Sequence, residues 1–143
     1  MVCNLTDLKI KDAKGENWFE ISKLVLKYFP QHFTFVFFRK FYEESLVAKK
    51  NGKIVGYVNT MNSLVLGKHP YINFLCVDKK YRGQGIGKAL LKKLIARLEK
   101  NHEKVFLRVS WHKSKLIPFY KKLGFKFARY TVLPPGYLMS LEF

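Results

Sequence analysis

The chain has 143 residues, with 27 Lys and Arg against 10 Asp and Glu, a formal charge of +17. That length suits one domain of the usual ~100–200 residues, and a chain that is 48% apolar and 16% aromatic is no disordered basic tail. No apolar run approaches the ~20 residues that span a bilayer, and MVCNLTDLKIKD lacks the apolar core of a secretion signal. Cys3 and Cys76 form no CxxC pair, which argues against a disulfide scaffold, a zinc ribbon and a thioredoxin-type site. The expectation is a reduced, soluble, cytoplasmic protein with no metal and no membrane association.

A short strand is predicted at Leu5–Ile10, and Gly15 then breaks the chain ahead of a helix. In that helix Trp18, Ile21, Leu24, Val25 and Tyr28 recur at helical spacing, and Pro30 ends it. The aromatic run Phe33, Phe35, Val36, Phe37, Phe38, Phe41, Tyr42 reads as a second helix. Ser45–Lys50 and Lys53–Met61 flank Asn51-Gly52, the strongest short-range signal for a two-residue hairpin. Tyr71–Val77 is almost continuously apolar, as a strand buried on both faces would be. After the loop DKKYRGQGIG, Ile86, Leu90, Leu94 and Leu98 line one side of an amphipathic helix, with Lys88, Lys92, Lys93 and Arg97 opposite. Val105–Val109 is a further strand, Ser114 is the expected N-cap of a helix through Leu123, and Gly124 is its left-handed stop. Strands Phe125–Val132 and Tyr137–Phe143, joined by Leu133-Pro134-Pro135-Gly136, complete the order. The pattern is an α/β fold with a mixed sheet and one central strand–helix–strand crossover, a single domain over residues 1–143.

The surplus of cations favours anionic partners. Its densest stretch, Lys79 to Lys104, holds nine Lys and Arg against Glu99 and Glu103. A solvated helix face explains much of this. An acidic protein or peptide, or nucleic acid, is the partner class that would use it.

The chemistry concentrates in Arg82-Gly83-Gln84-Gly85-Ile86-Gly87-Lys88. Glycines between a strand end and a helix start let backbone approach an anion, and the unpaired N–H groups and dipole of the first helical turn favour a phosphate or pyrophosphate. A nucleotide P-loop aligned on Gly87-Lys88 would need Gly at 82 and Ser or Thr at 89, where the chain has Arg82 and Ala89. A dinucleotide-binding GxGxxG aligned on Gly83 and Gly85 would need Gly at 88 and meets Lys88.

LCVDKKYRGQGIGKALL resembles the pyrophosphate-binding motif of the GNAT superfamily of acyl-CoA-dependent N-acetyltransferases. That motif runs Gln or Arg, two residues, Gly, one residue, Gly or Ala; here it is Arg82-Gly83-Gln84-Gly85-Ile86-Gly87. Further on, Pro118-Phe119-Tyr120-Lys121-Lys122-Leu123-Gly124-Phe125 is similar to the family's FYxKLGF signature, and the element order matches end to end. The resemblance implies a mixed central sheet of about seven strands with four helices, splayed between strands 4 and 5.

It also implies that acetyl-CoA is the cosubstrate. Leu75, Cys76 and Val77 would hydrogen-bond the pantetheine arm, with a backbone N–H there on the thioester carbonyl. Arg82, Gly83, Gln84, Gly85, Gly87 and Lys88 would hold the pyrophosphate, and Lys79, Lys80, Lys113 or Lys121 the 3′-phosphate. Tyr120 would protonate the departing thiolate as general acid. Where many relatives carry Asn seven residues before that Tyr, this chain has Lys113, which suits a phosphate. The Glu that some members use as a base maps to Asn73 or Tyr71, neither of them a carboxylate. Glu43, Glu44, His69 and His112 are candidates to hold a water, and bulk water serves too, since a strongly positive protein lowers the pKa of a nearby ammonium.

The acceptor in this family usually enters between the first two helices and the last hairpin. Here that brings in Phe33, Phe35, Phe37 and Phe38, most of which are expected in the core, and Leu133 to Tyr137. With only Glu43 and Glu44 in that region, a protein or peptide lysine or N-terminus is favoured over small cationic amines, on a monomer or homodimer. A nucleic-acid-binding or regulatory protein that keeps the fold, with acyl-CoA as ligand only, is the alternative.

Overall fold

The computed structural model describes residues 5–37, 39, 42–63 and 65–143, so Cys3, Phe38 and Phe41 lie outside the described residues. Asn51 and Gly52 both take positive φ, 50° and 76°, as a two-residue hairpin turn demands. Seven strands are ordered β1-β2-β3-β4-β5-β7-β6. They are β1 (Leu8–Asp12), β2 (Ser45–Lys50), β3 (Lys53–Ser63), β4 (His69–Val77), β5 (Lys104–Ser110), β6 (Lys126–Val132) and β7 (Pro135–Glu142). The α-helices are α1 (Trp18–Tyr28), α2 (Ile86–Leu98) and α3 (Ile117–Lys122), and a 3-10 stretch at Pro30–Phe37 stands where the second helix was expected. β4 and β5, the strands of the crossover through α2, pair in parallel at Tyr71↔Phe106 and Ile72↔Leu107, with no further described pair, which is the expected splay. The chain divides into two compact units: one takes the chain up to Met61 with Asn73–Ile95, the other Asn62–Ile72 with Ala96–Phe143.

In the first unit the two-residue period of the strands separates two apolar faces. Val47, Tyr57, Phe74 and Cys76 join Ile21, Leu24 and Val25 of α1 and Phe35 in one core. On the opposite face, Gly56 lies under α2, where an added Cβ would come 2.9 Å from Leu90 Cδ1 and 3.3 Å from Ile86 Cγ2. Asn17 caps α1, its Oδ1 accepting from the Phe19 and Glu20 N–H groups. Pro30–Phe37 stays 3-10, kinked at His32, because aromatic and β-branched residues are poor helix formers and only Phe35 of that stretch is buried. Phe35 is 2% exposed, whereas Phe33 (65%) and Phe37 (78%) face solvent, so the expectation that most of these aromatics are core is corrected. The expected burial of β4 on both faces is also corrected. Ile72, Phe74 and Cys76 are buried, while Tyr71, Asn73, Leu75 and Val77 are only half-buried.

In the second unit β5, β7 and β6 form an antiparallel sheet with β6 at its exposed edge. The helix expected from Ser114 begins at Ile117, and Trp111–Leu116 is a 3-10 turn. Pro118 has no N–H to continue an earlier helix, so it is accommodated only in a first turn. Gly124 then takes φ 96°, the left-handed stop. At Gly136 an added Cβ would lie 2.6 Å from the Val109 carbonyl oxygen, main chain that cannot rotate away. Gly136→Ala is expected to cost about 2–3 kcal/mol through strand displacement, read as a lowered urea midpoint.

Candidate active site

The Phe74 N–H donates to Asn59 Oδ1 at 2.9 Å, a buried bond, and the Asp78 N–H donates to the Val55 carbonyl at 2.8 Å. Both acceptors belong to β3. Successive peptides of an extended strand point to opposite edges, so the N–H and C=O of Leu75 and Val77 face away from β3. The Val77 carbonyl is taken by Arg82 Nε at 2.9 Å. Of the three residues expected to meet pantetheine, Leu75 therefore has its peptide groups on the splayed edge, and those of Cys76 turn toward β3. The Cys76 thiol is 4% exposed, and burial pushes it up to about 12, so it is no thiolate nucleophile at neutral pH.

Beyond β4, Asp78 organises the turn that carries the glycines. Its Oδ1 accepts from the Lys80 N–H at 3.1 Å and from the Tyr28 hydroxyl at 3.3 Å, while Lys27 Nζ lies 3.6 Å from Oδ2. The Lys80 N–H is the main reason its carboxyl is held below the usual carboxylate value. The Tyr28 hydroxyl in turn accepts the Lys79 N–H at 2.7 Å. Gly83 and Gly85 have φ of 76° and 80°, and a Cβ at either would meet no protein atom within 4 Å. Their glycines answer to backbone geometry, and the space beside them is open to a ligand. The first bond of α2 runs from the Ala89 N–H to the Gly85 carbonyl at 3.0 Å, so the N–H groups before it have no intrahelical partner. This is a fit for a pyrophosphate.

Cations surround that loop, partly through side chains that local sequence does not reveal. The Arg82 guanidinium, exposed at the loop mouth, lies 4.6 Å over the Tyr28 ring. Lys50 Nζ, brought in by β2, donates to Gln84 Oε1 at 3.0 Å. Lys88 is exposed on α2, and Gly87, whose φ is ordinary, has Val77 Cγ2 3.7 Å from its Cβ position. Lys79, Lys80, Lys113 and Lys121 are all exposed.

The first unit also contains a cavity of about 320 Å³ lined by His32, Thr34, Phe35, Tyr42, Met61, Asn73 and Phe74. Tyr42 separates it from a cavity of about 50 Å³ bounded by Lys14, Arg39, Ser45 and Tyr57 among others. Among the described residues neither lining contains an acid, and of the candidate water-holding groups none is there. Glu43 and Glu44 instead join β3 through their main chain at Thr60.

In the second unit, Tyr120 is half-buried on α3 with Phe119 and Phe125 at ring distances of 5.1 and 6.0 Å. Its carbonyl accepts the Leu123 and Phe125 N–H groups at the helix end, which fixes it at the turn into β6. Burial, with Tyr71 adding to it, pushes the phenol up to about 12. His69 packs against Phe106 at 6.0 Å, and His112 is exposed.

Burial raises Cys76 and Tyr57 above their ordinary values. A group with a raised folded pKa contributes stability below its unfolded pKa and loses it as pH rises toward the folded one. Both are buried, so stability is expected to fall from about pH 9 upward, by about 1.4 kcal/mol per pH unit for each group within its window. Urea unfolding near pH 8 and near pH 10 checks the sign.

The sequence matches the Acetyltransferase (GNAT) family model over residues 12–125. It is 31% identical to an N-alpha-acetyltransferase of Sulfurisphaera tokodaii, covering 84% of this chain and 81% of that one. The fold is shared with the ribosomal-protein-S18-alanine N-acetyltransferase of Escherichia coli, at TM-score 0.78 and 24% identity over 94% of this chain and 93% of that one. It is shared too with Arabidopsis thaliana Naa50 in complex with the bisubstrate analogue CoA-Ac-MVNAL, at TM-score 0.72 and 22% identity over 96% and 99%. The chain belongs to the GNAT family and is an acetyl-CoA-dependent N-acetyltransferase.

Proposed function

We propose that this chain is an Nα-acetyltransferase, one domain working in the cytoplasm, that acetylates the α-amine at the N-terminus of a protein or peptide. The observation that carries the reading is the cavity at Asn73 and Phe74, immediately ahead of the Leu75 peptide, whose described lining holds no acid. A polyamine or aminoglycoside would bring several charges into a lining with no carboxylate, beneath a +17 field. A peptide brings one amine and is neutral or acidic elsewhere. The N-alpha-acetyltransferase of Sulfurisphaera tokodaii supports the same choice.

In this reading the amides from Gly83 to Lys88 take the pyrophosphate, with Arg82 and Lys88 supplying charge. The Leu75 N–H and C=O pair with the pantetheine arm, whose thioester is then beside the cavity. The neutral α-amine attacks the thioester carbon, the C–N bond forms and the C–S bond breaks. The amine's extra proton leaves to water, which the positive field favours, and Tyr120 gives its proton to the thiolate sulfur. A phenol near 12 is a weak acid for a thiolate in water, but a thiolate generated away from solvent is a stronger base than in water.

The test offers acetyl-CoA with two peptide sets: free N-terminus and no lysine, or blocked N-terminus with one lysine. Thiol release gives the rate and mass spectrometry the position. The reading expects the α-amine set to lead by about tenfold or more in kcat/KM, a ratio within reach of pocket selectivity. Acetylation of the lysine set alone overturns it.

A further inference from the structure

We infer that the 320 Å³ cavity receives the side chain of the acceptor's first residue and selects for a large apolar one. This rests on the Nα-acetyltransferase reading. The walls are the rings of Phe35, Phe74 and Tyr42 and the thioether of Met61, with Thr34, His32 and Asn73 as the polar members. Phe35 and Phe74 are 2% and 6% exposed and hold each other edge to face at 5.1 Å, so the floor is rigid and apolar. His32, itself exposed, packs edge-on against Phe74 at 5.3 Å and adds ring surface at the rim.

Size and chemistry commit the pocket to one occupant. A volume of about 320 Å³ is at the lower end of ligand pockets, ~300–1,000 Å³, enough for one bulky side chain and the peptide unit beside it. Asn73 and Phe74 line the cavity and precede Leu75 directly, so a side chain lodged against them is attached to an amine at the Leu75 peptide. Among the described residues the lining has no carboxylate to meet a first-residue Lys or Arg, and no Lys or Arg to meet an Asp or Glu. Met, Leu or Phe instead exchange water for ring and thioether contacts. Met61, half-buried at the wall on β3, is adaptable and polarizable, suited to unbranched and aromatic guests alike.

The experiment measures kcat/KM for peptides that differ only in a first residue of Met, Leu, Phe, Gly, Ala, Ser, Asp or Lys. Wild type is expected to favour Met, Leu and Phe over Gly, Ala and Ser by about tenfold or more, with Asp and Lys lowest. Met61→Trp fills the cavity and is expected to cut the Met-first rate far more than the Gly-first rate. Met61→Glu supplies a carboxylate and is expected to raise the Lys-first rate relative to Met-first. Coenzyme A titration of each variant shows that it is folded, because residues 75–88 are untouched. A flat ranking, a polar-first preference, or a wild-type ranking that both variants leave in place overturns the proposal. A flat ranking with brisk α-amine acetylation leaves the Nα reading standing, whereas no α-amine acetylation at all removes both.

Discussion

Tyr120→Phe is expected to lower kcat by about 10²–10⁴-fold, the usual contribution of a positioned acid, while KM for acetyl-CoA stays nearly unchanged. The substitution removes one oxygen and keeps the ring that packs against Phe119 and Phe125, so the fold has little reason to respond. Burial pushes the phenol up to about 12, and it therefore remains protonated from pH 6 to pH 10. The wild-type kcat profile should rise with pH as the acceptor amine loses its proton, with no descending limb from Tyr120 below about pH 11. The Tyr120→Phe enzyme should keep that rise at a much lower plateau. A rate for Tyr120→Phe within a few-fold of wild type would remove Tyr120 from the chemistry and leave solvent as the proton source.

What the sequence disclosed, and what it hid, follows from the range of each constraint. The hairpin at Asn51-Gly52 and the loop at Gly83 and Gly85 were readable because φ above zero is a property of single residues. The amphipathic α2 was readable because its stripe repeats over thirteen residues. The stretch after Pro30 misled because Phe33, Phe35 and Phe37 look alike in composition, yet only Phe35 reaches the core. Ser114 misled as a cap because Pro118 sets the start of α3. The site residues that were missed share one cause. Lys50 reaches Gln84, Tyr28 reaches Asp78 and Asn59 reaches Phe74 across 34, 50 and 15 residues of chain. Strand pairing and helix packing bring them together, and no local spacing records it. Asn59 matters most among them, since its side chain holds the Phe74 peptide and thereby directs Leu75 to the splayed edge.

Gly85→Val is expected to weaken coenzyme A binding by about 10²–10³-fold, read by calorimetry. At φ 80° a β-branched residue pays about 1–2 kcal/mol or more for the left-handed conformation, and the loop relaxes to a φ below zero instead. That relaxation turns away N–H groups of the loop, and hydrogen bonds to a charged group contribute about 1.5–3 kcal/mol each. Losing one or two of them gives the stated range, since 1.4 kcal/mol is tenfold. Steric conflict inside the protein does not confuse the result, because a Cβ at Gly85 meets nothing within 4 Å. The melting temperature should therefore fall only a little while affinity collapses. Raising salt should weaken wild-type binding as the exposed cations Arg82 and Lys88 are screened. The valine variant, having lost backbone contacts that salt screens less, should retain the same fractional salt dependence at much lower affinity. If instead Gly85→Val binds coenzyme A as tightly as wild type, the open space beside Gly83 and Gly85 is not where the pyrophosphate rests, and the cations alone would have to hold it.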